Sequence, residues 1–180
     1  MQVIYSVPSS NEGNNLDIFF RMIDSVEDDI SEILDDENNQ LSGYECLVIC
    51  FNSLRLYCEQ AGIELSQIKD HYNAVKEDKS DGTFWNFDLG INSENSNEVE
   101  RFSRVLEEIE NSLAAFEKRC KKTEELFDEW NCVFIMYSCL RKYCDKTKTN
   151  YAQLMSDVLK IRSDFKKNGN VGTGGINSLN

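Results

Sequence analysis

Apolar residues recur at steps of three and four through most of the chain, with polar residues filling the positions between. After Asn14 and Asn15, which suit a helix N-cap, Leu16, Phe19, Phe20, Ile23, Val26, Ile30, Ile33 and Leu34 fall on one face. That spacing predicts a helix of about five turns. The run DDENNQLSG interrupts it. Ser42 followed by Glu45 has the form of a capping box and opens a second helix, striped by Tyr44, Leu47, Phe51, Leu54, Cys58 and Ala61, with Gly62 placed to end it. A shorter third helix uses Leu65, Ile68, Tyr72 and Val75.

Between Lys79 and Asn97 the helical period stops. TFWNFDLGI alternates instead, with Trp85, Phe87, Leu89 and Ile91 on one side, and QVIYSV near the N-terminus alternates likewise. The two are expected to be extended and able to pair as a short β-ribbon. From Asn97, with Glu100 three residues on, the helical period returns through Val99, Phe102, Leu106, Ile109, Leu113, Phe116 and Cys120. Thr123 is expected to cap a fifth helix carried by Phe127, Trp130, Phe134, Tyr137, Leu140 and Cys144, and a sixth follows from Tyr151 to Phe165. The glycine-rich tail, residues 168–180, is expected to be disordered.

The second and fifth helices repeat one another. Displaced by 86 positions, CLVICFNSLRLYCEQ falls on CVFIMYSCLRKYCDK, which aligns Cys46 with Cys132, Leu54 with Leu140, Arg55 with Arg141, Tyr57 with Tyr143 and Cys58 with Cys144. Displaced by 83, FFRMIDSVEDDI falls on FSRVLEEIENSL. The expected architecture is all-α: a pseudo-twofold bundle of about six helices built from two duplicated three-helix units, because one such layer cannot bury its apolar stripe alone. The first unit runs from about residue 14 to 78, a linker from 79 to 97 and the second unit from about 98 to 167.

Charge separates the two units. The net charge is −13, and residues 1–68 hold thirteen acids against Arg21 and Arg55, a net of −11, while the remainder holds 19 acids and 17 bases. Asp24, Asp28, Asp29, Glu32, Asp35 and Asp36 lie on or beside the polar face of the first helix, with no base between Arg21 and Arg55. Such a face solubilises a protein, and it also steers and selects a basic partner. It repels phosphates, so direct nucleic-acid binding through this half is not expected. Trp85 and Phe87 are further candidate contacts, since aromatic anchors dominate many interfaces. Lys118, Arg119, Lys121 and Lys122 close the fourth helix, where positive charge suits its dipole.

Candidate chemistry is sparse. The repeated Arg55-Tyr57 and Arg141-Tyr143 offer forked donors and aromatic surface for an anionic ligand if the two sets converge, and otherwise i, i+4 ion pairs with Glu59 and Asp145. Seven cysteines at mostly apolar positions are expected to be buried thiols of a cytoplasmic protein, and His71, the only histidine, to lie on the surface of the third helix. No run approaches the roughly 18 apolar residues of a membrane span. Glu125 and Asp128 match an E-x-x-D pair and so resemble, in part, the MazG-like nucleotide pyrophosphohydrolases, whose helical carboxylates hold magnesium. Counted from Glu108, the partner motif departs at Asn111. No nucleotide-binding, zinc-protease or nucleophile-elbow motif is present, and no cofactor is expected. The residues point to a non-enzymatic acidic interaction protein, an inhibitor of the immunity or anti-defence type that caps a basic, nucleic-acid-handling partner. A metal-dependent hydrolase and an anion sensor are the alternatives.

Overall fold

A computed structural model describes residues 14–35, 42–77 and 98–167. These form six helices: α1 (Asn15–Asp35), α2 (Gly43–Ala61), α3 (Leu65–Glu77), α4 (Glu98–Thr123), α5 (Glu129–Thr147) and α6 (Tyr151–Lys167). There is no strand among the described residues. The expected ribbon, the cap at Asn97, the contacts at Asp36, Trp85 and Phe87, and the C-terminal tail all lie outside them.

Local chemistry sets the helix ends. Asn14 caps α1 by accepting from the Asp17 amide at 2.9 Å. Ser42 and Glu45 form the reciprocal capping box of α2: the Glu45 amide donates to Ser42 Oγ at 3.2 Å, and the Ser42 amide to Glu45 Oε2 at 2.8 Å. Gly62 ends α2 in the left-handed region at φ 71°, where the Ile63 amide reaches back to the Cys58 carbonyl at 2.8 Å.

The start of α5 differs from the sequence expectation. Thr123 is the last residue of α4, its hydroxyl donating to the Arg119 carbonyl at 3.0 Å, and Asp128 is the N-cap of α5. The chain turns between them through Glu124 at φ 59°, which lets the Glu125 amide bond to the Cys120 carbonyl at 3.1 Å. A glutamate in a conformation that usually calls for glycine hides this stop from a composition-based reading.

The core is one continuous apolar cluster running through all six helices. α2 and α5 lie at its centre and pack on each other, and their residues 46–55 and 132–140 are buried on every side. α1 packs on α2 and α5, α4 packs on α5 and α2, α6 covers α2 and α3 covers α5. Exchanging 1 with 4, 2 with 5 and 3 with 6 returns the same set of pairings. Burial follows the same offsets. In α1, Phe19, Met22, Ile23, Val26 and Ile30 are buried, and so are the α4 residues 83 positions on, Phe102, Val105, Leu106, Ile109 and Leu113. In α3, Ile68 and Tyr72 are buried, as are Leu154 and Val158, 86 positions on.

All seven cysteines are buried thiols and none is in a disulfide. Burial is the first cause of the raised pKa at Cys58, Cys132 and Cys144, each pushed up to about 12, so these thiols stay neutral and pack as small apolar groups. No helix among the described residues is long and apolar enough to cross a membrane.

Candidate functional site

The polar face of α1 follows from its apolar stripe. Because the buried residues take steps of three and four, Asp17, Asp24, Asp28, Glu32 and Asp35 are turned outward, and all five are exposed. The ion pairs Arg55–Glu59, Lys76–Asp145, Arg119–Glu125, Lys121–Glu117 and Lys160–Asp157 draw on none of these carboxylates. Asp29, expected with them, is half-buried. Its carboxyl is pushed up to about 6, first by burial and then by the charges of Glu32 and Asp28.

Crowding is greatest where α1 meets α4. Oxygen atoms of Asp24, Glu27 and Glu110 lie within 4.8 Å of one another. Glu27 is pushed up to about 7, first by burial, then by its hydrogen bond with Glu110, then by the charges of Glu110, Asp24 and Asp28. Asp24 and Glu110 are open to water, and exposed acidic groups of this kind are common without an ion. Glu27 carries no sequence motif, and Glu110 shares only an E-x-x-E spacing with Glu107. The signal that finds them is the repeat itself, since Glu110 stands 83 positions after Glu27, in register with Phe19 and Phe102.

Of the repeated Arg-Tyr positions, Arg55, Tyr57 and Tyr143 are buried. Tyr57 and Tyr143, expected at the flank of the apolar stripe, are 1% and 3% exposed. The Tyr57 hydroxyl donates to the Asn15 carbonyl at 2.7 Å, tying the first turn of α1 to α2. Arg55 is buried and donates to Asn52 Oδ1 at 3.1 Å and to Glu59 Oε1 at 3.2 Å.

Arg141 behaves differently. Its guanidinium lies 3.6 Å from the Tyr151 ring centre and 5.2 Å from that of Tyr72, and it donates to the Tyr137 hydroxyl at 3.0 Å. The expected pairing with Asp145 is replaced, because Asp145 takes Lys76 at 2.8 Å. The cause is local. Tyr137 and Tyr151 stand where the first unit has Phe51 and Leu65, so only Arg141 has a hydroxyl acceptor and a ring face to turn toward.

The E-x-x-D residues make local contacts. Asp128 accepts from the Asn131 amide at 2.9 Å and from its side chain at 2.8 Å as the α5 cap, and Glu125 lies 3.6 Å from Arg119. α4 does carry an E-x-x-E spacing at Glu107 and Glu110, but Glu110 meets Glu27 of α1. His71, exposed as expected, packs edge-on against Phe134 at 4.5 Å and Trp130 at 5.1 Å.

Compared with protein-family models, with curated proteins and with solved structures, the chain matches none.

Proposed function

We propose that this protein is a non-enzymatic interaction protein whose acidic α1 face docks on a basic surface of a partner that handles nucleic acid, and blocks it by occupying the groove meant for phosphates. The observation that carries this reading is the exposure of Asp17, Asp24, Asp28, Glu32 and Asp35 on one helix with no base between Arg21 and Arg55. Like charges one turn apart destabilise a helix by a few tenths of a kcal/mol per pair. A cationic surface would relieve it on contact, and the one-signed field would speed encounter and turn away acidic surfaces.

The test is an affinity capture from cells, washed at low and at high salt, with the wild type and with the variant Asp24→Asn, Asp28→Asn, Glu32→Gln, Asp35→Asn. The reading expects a basic nucleic-acid-binding protein that the wild type holds at low salt, that leaves at high salt, and that the variant does not hold. A variant that holds the same protein equally well sinks it.

We infer further that the bundle is a tandem duplication about a pseudo-twofold axis. Supporting this, α2 and α5 are both 19 residues long and start 86 positions apart, as α3 and α6 do, and the helix pairings survive exchange of the two units. Under that reading α1 and α4 are equivalent elements, and the acidic excess of α1 is a feature one copy has and the other lacks.

A further inference from the structure

We propose that α6 is an exchangeable arm whose partner is a second copy of this chain: the hinge between α5 and α6 straightens, the two helices join, and two copies trade α6 reciprocally, each seating it on the other's α2. The hinge carries the first part of the argument. Lys148, Thr149 and Asn150 are all that separates α5 from α6. Lys148 bends the chain at φ 56°, in the left-handed region, where a residue with a Cβ is strained. Gly62 makes the equivalent bend between α2 and α3, and glycine adopts that region without the same cost. From Glu129 to Lys167 the sequence holds no glycine and no proline, so the chemistry that stops α2 is absent and one continuous helix is open to this span. Such a helix would be about 58 Å long, enough to reach from one bundle into another.

The seat of α6 carries the second part. α6 lies on α2, in the first unit, rather than along α5, from which it emerges. Its contacts there are buried Leu154 and Val158, the Tyr151 ring edge-on to Phe51 at 5.8 Å, and the Tyr44 hydroxyl donating to Asp157. A second copy presents the same α2 and the same α6, so each of these contacts re-forms between chains and only the hinge differs.

Straightening replaces the left-handed turn, closed by the Thr149 amide on the Cys144 carbonyl at 2.9 Å, with ordinary helical bonds. Opposing it is the tether, which holds α6 near its own α2 at an effective concentration of about millimolar. Hinge strain and protein concentration therefore set the balance between monomer and dimer. Reciprocal exchange closes on itself, so assembly stops at a twofold dimer that carries two acidic α1 faces.

The exchange involves no basic partner, so it stands or falls apart from the docking reading. Size-exclusion chromatography with light scattering follows the full chain from about 10 µM to about 1 mM, a range that reaches the effective concentration of the tether. The wild type is expected to move from the 20.8 kDa monomer toward twice that mass. Lys148→Gly relieves the turn, and because two hinges open per dimer it is expected to weaken dimerisation about 5- to 30-fold. Thr149→Ala/Asn150→Ala removes the Asn150 cap on the Gln153 amide and favours helix through the hinge, and is expected to strengthen dimerisation about tenfold. The hinge residues are exposed or half-buried, so these changes leave the core intact. Benzoylphenylalanine in place of Tyr44, irradiated in a mixture of isotope-labelled and unlabelled chains, is expected to join α2 of one chain to α6 of the other in the dimer fraction. A wild type and Thr149→Ala/Asn150→Ala variant that both stay monomeric, a dimer that the hinge substitutions leave unmoved, or α2–α6 cross-links confined to single chains would each overturn the proposal.

Discussion

The ring of Phe19 meets that of Tyr57 edge-on, at 5.3 Å and 68°. Phe102 and Tyr143, the residues 83 and 86 positions on, meet edge-on at 5.5 Å and 89°. One contact joins α1 to α2 and the other α4 to α5, so the same aromatic pair fastens the first helix of each unit to the second. Phe19→Ala and Phe102→Ala should each cost about 3–5 kcal/mol, because both rings are wholly buried and leave a cavity. Denaturant unfolding checks this. A loss below about 1 kcal/mol at either site would mean that the ring contributes little to that unit's packing.

The two units end their second helices with different residues at equivalent positions. Gly62 sits at φ 71°, and Lys148, 86 positions on, sits at φ 56°. Both turns are closed by an amide of the next residue, from Ile63 to the Cys58 carbonyl at 2.8 Å and from Thr149 to the Cys144 carbonyl at 2.9 Å. Glycine is the residue that adopts this conformation without steric cost, so Lys148→Gly should raise stability by about 0.5–1 kcal/mol and Gly62→Ala should lower it by about 1 kcal/mol. No atom lies within 4 Å of a Cβ built at Gly62, so the loss there would come from the backbone and not from a clash. Melting temperatures of the two variants, moving in opposite directions, are the readout.

Arg141 and Tyr151 should be energetically coupled. With the guanidinium 3.6 Å from the ring centre, a double-mutant cycle using Arg141→Lys and Tyr151→Leu should give an interaction of about 0.5–2 kcal/mol. Leucine is what the first unit carries at the equivalent position, Leu65, so the substitution is one this architecture already accommodates. Additive losses would show that the stacked arrangement contributes nothing.

Asp128 should act as a cap and nothing more. Asp128→Ala should cost about 1 kcal/mol through the loss of its bond to the Asn131 amide. Millimolar magnesium should leave the melting temperature of wild type and variant unchanged. Magnesium stabilisation lost in the variant would bring back the pyrophosphohydrolase reading.

Asp29 gives a pH signature of its own. Its carboxyl is raised from 3.8 to about 6, so the folded state keeps a proton that the unfolded chain gives up, and stability present below pH 3.8 is lost as pH rises through about 6. Asp29→Asn removes that loss. Its melting temperature should exceed that of the wild type at pH 7.5 and equal it at pH 3.5.

Much of this fold is legible in the residues because periodicity and capping agree. Asn14, Ser42 with Glu45, and Gly62 announce helix ends in the places the structure has them, and the stripes predict Phe19, Ile23, Val26 and Ile30 of α1 and Phe102, Leu106, Ile109, Leu113, Phe116 and Cys120 of α4 as buried, while passing over buried Ile18, Met22 and Val105. What stays hidden depends on which neighbour a side chain finds. Thr123 looks like a cap, but Glu124 takes the left-handed turn and Asp128 does the capping. Tyr57 and Tyr143 look amphipathic and lie inside, because each finds a phenylalanine from the preceding long helix. A one-dimensional pattern places Asp145 near Arg141, and only the packing of α3 on α5 brings in Lys76.

The candidate surface divides along the same line. Outward acids on α1 follow from its period, whereas the approach of Glu27 to Glu110 depends on how two helices remote in sequence are each placed on α2 and α5. The 83-residue offset places Glu110 in register with Glu27 along the sequence.

The central claim is that the acidic face of α1 competes with nucleic acid for a basic partner. Its most direct test is displacement: the captured partner is loaded with a fluorescent oligonucleotide, and the protein or its Asp24→Asn, Asp28→Asn, Glu32→Gln, Asp35→Asn variant is titrated in while anisotropy is followed. The account predicts that the wild type releases the oligonucleotide at low salt, that the midpoint rises steeply as salt is added, and that the variant releases none. Equal release by wild type and variant, or an oligonucleotide that stays bound while the wild type saturates its partner, would contradict it.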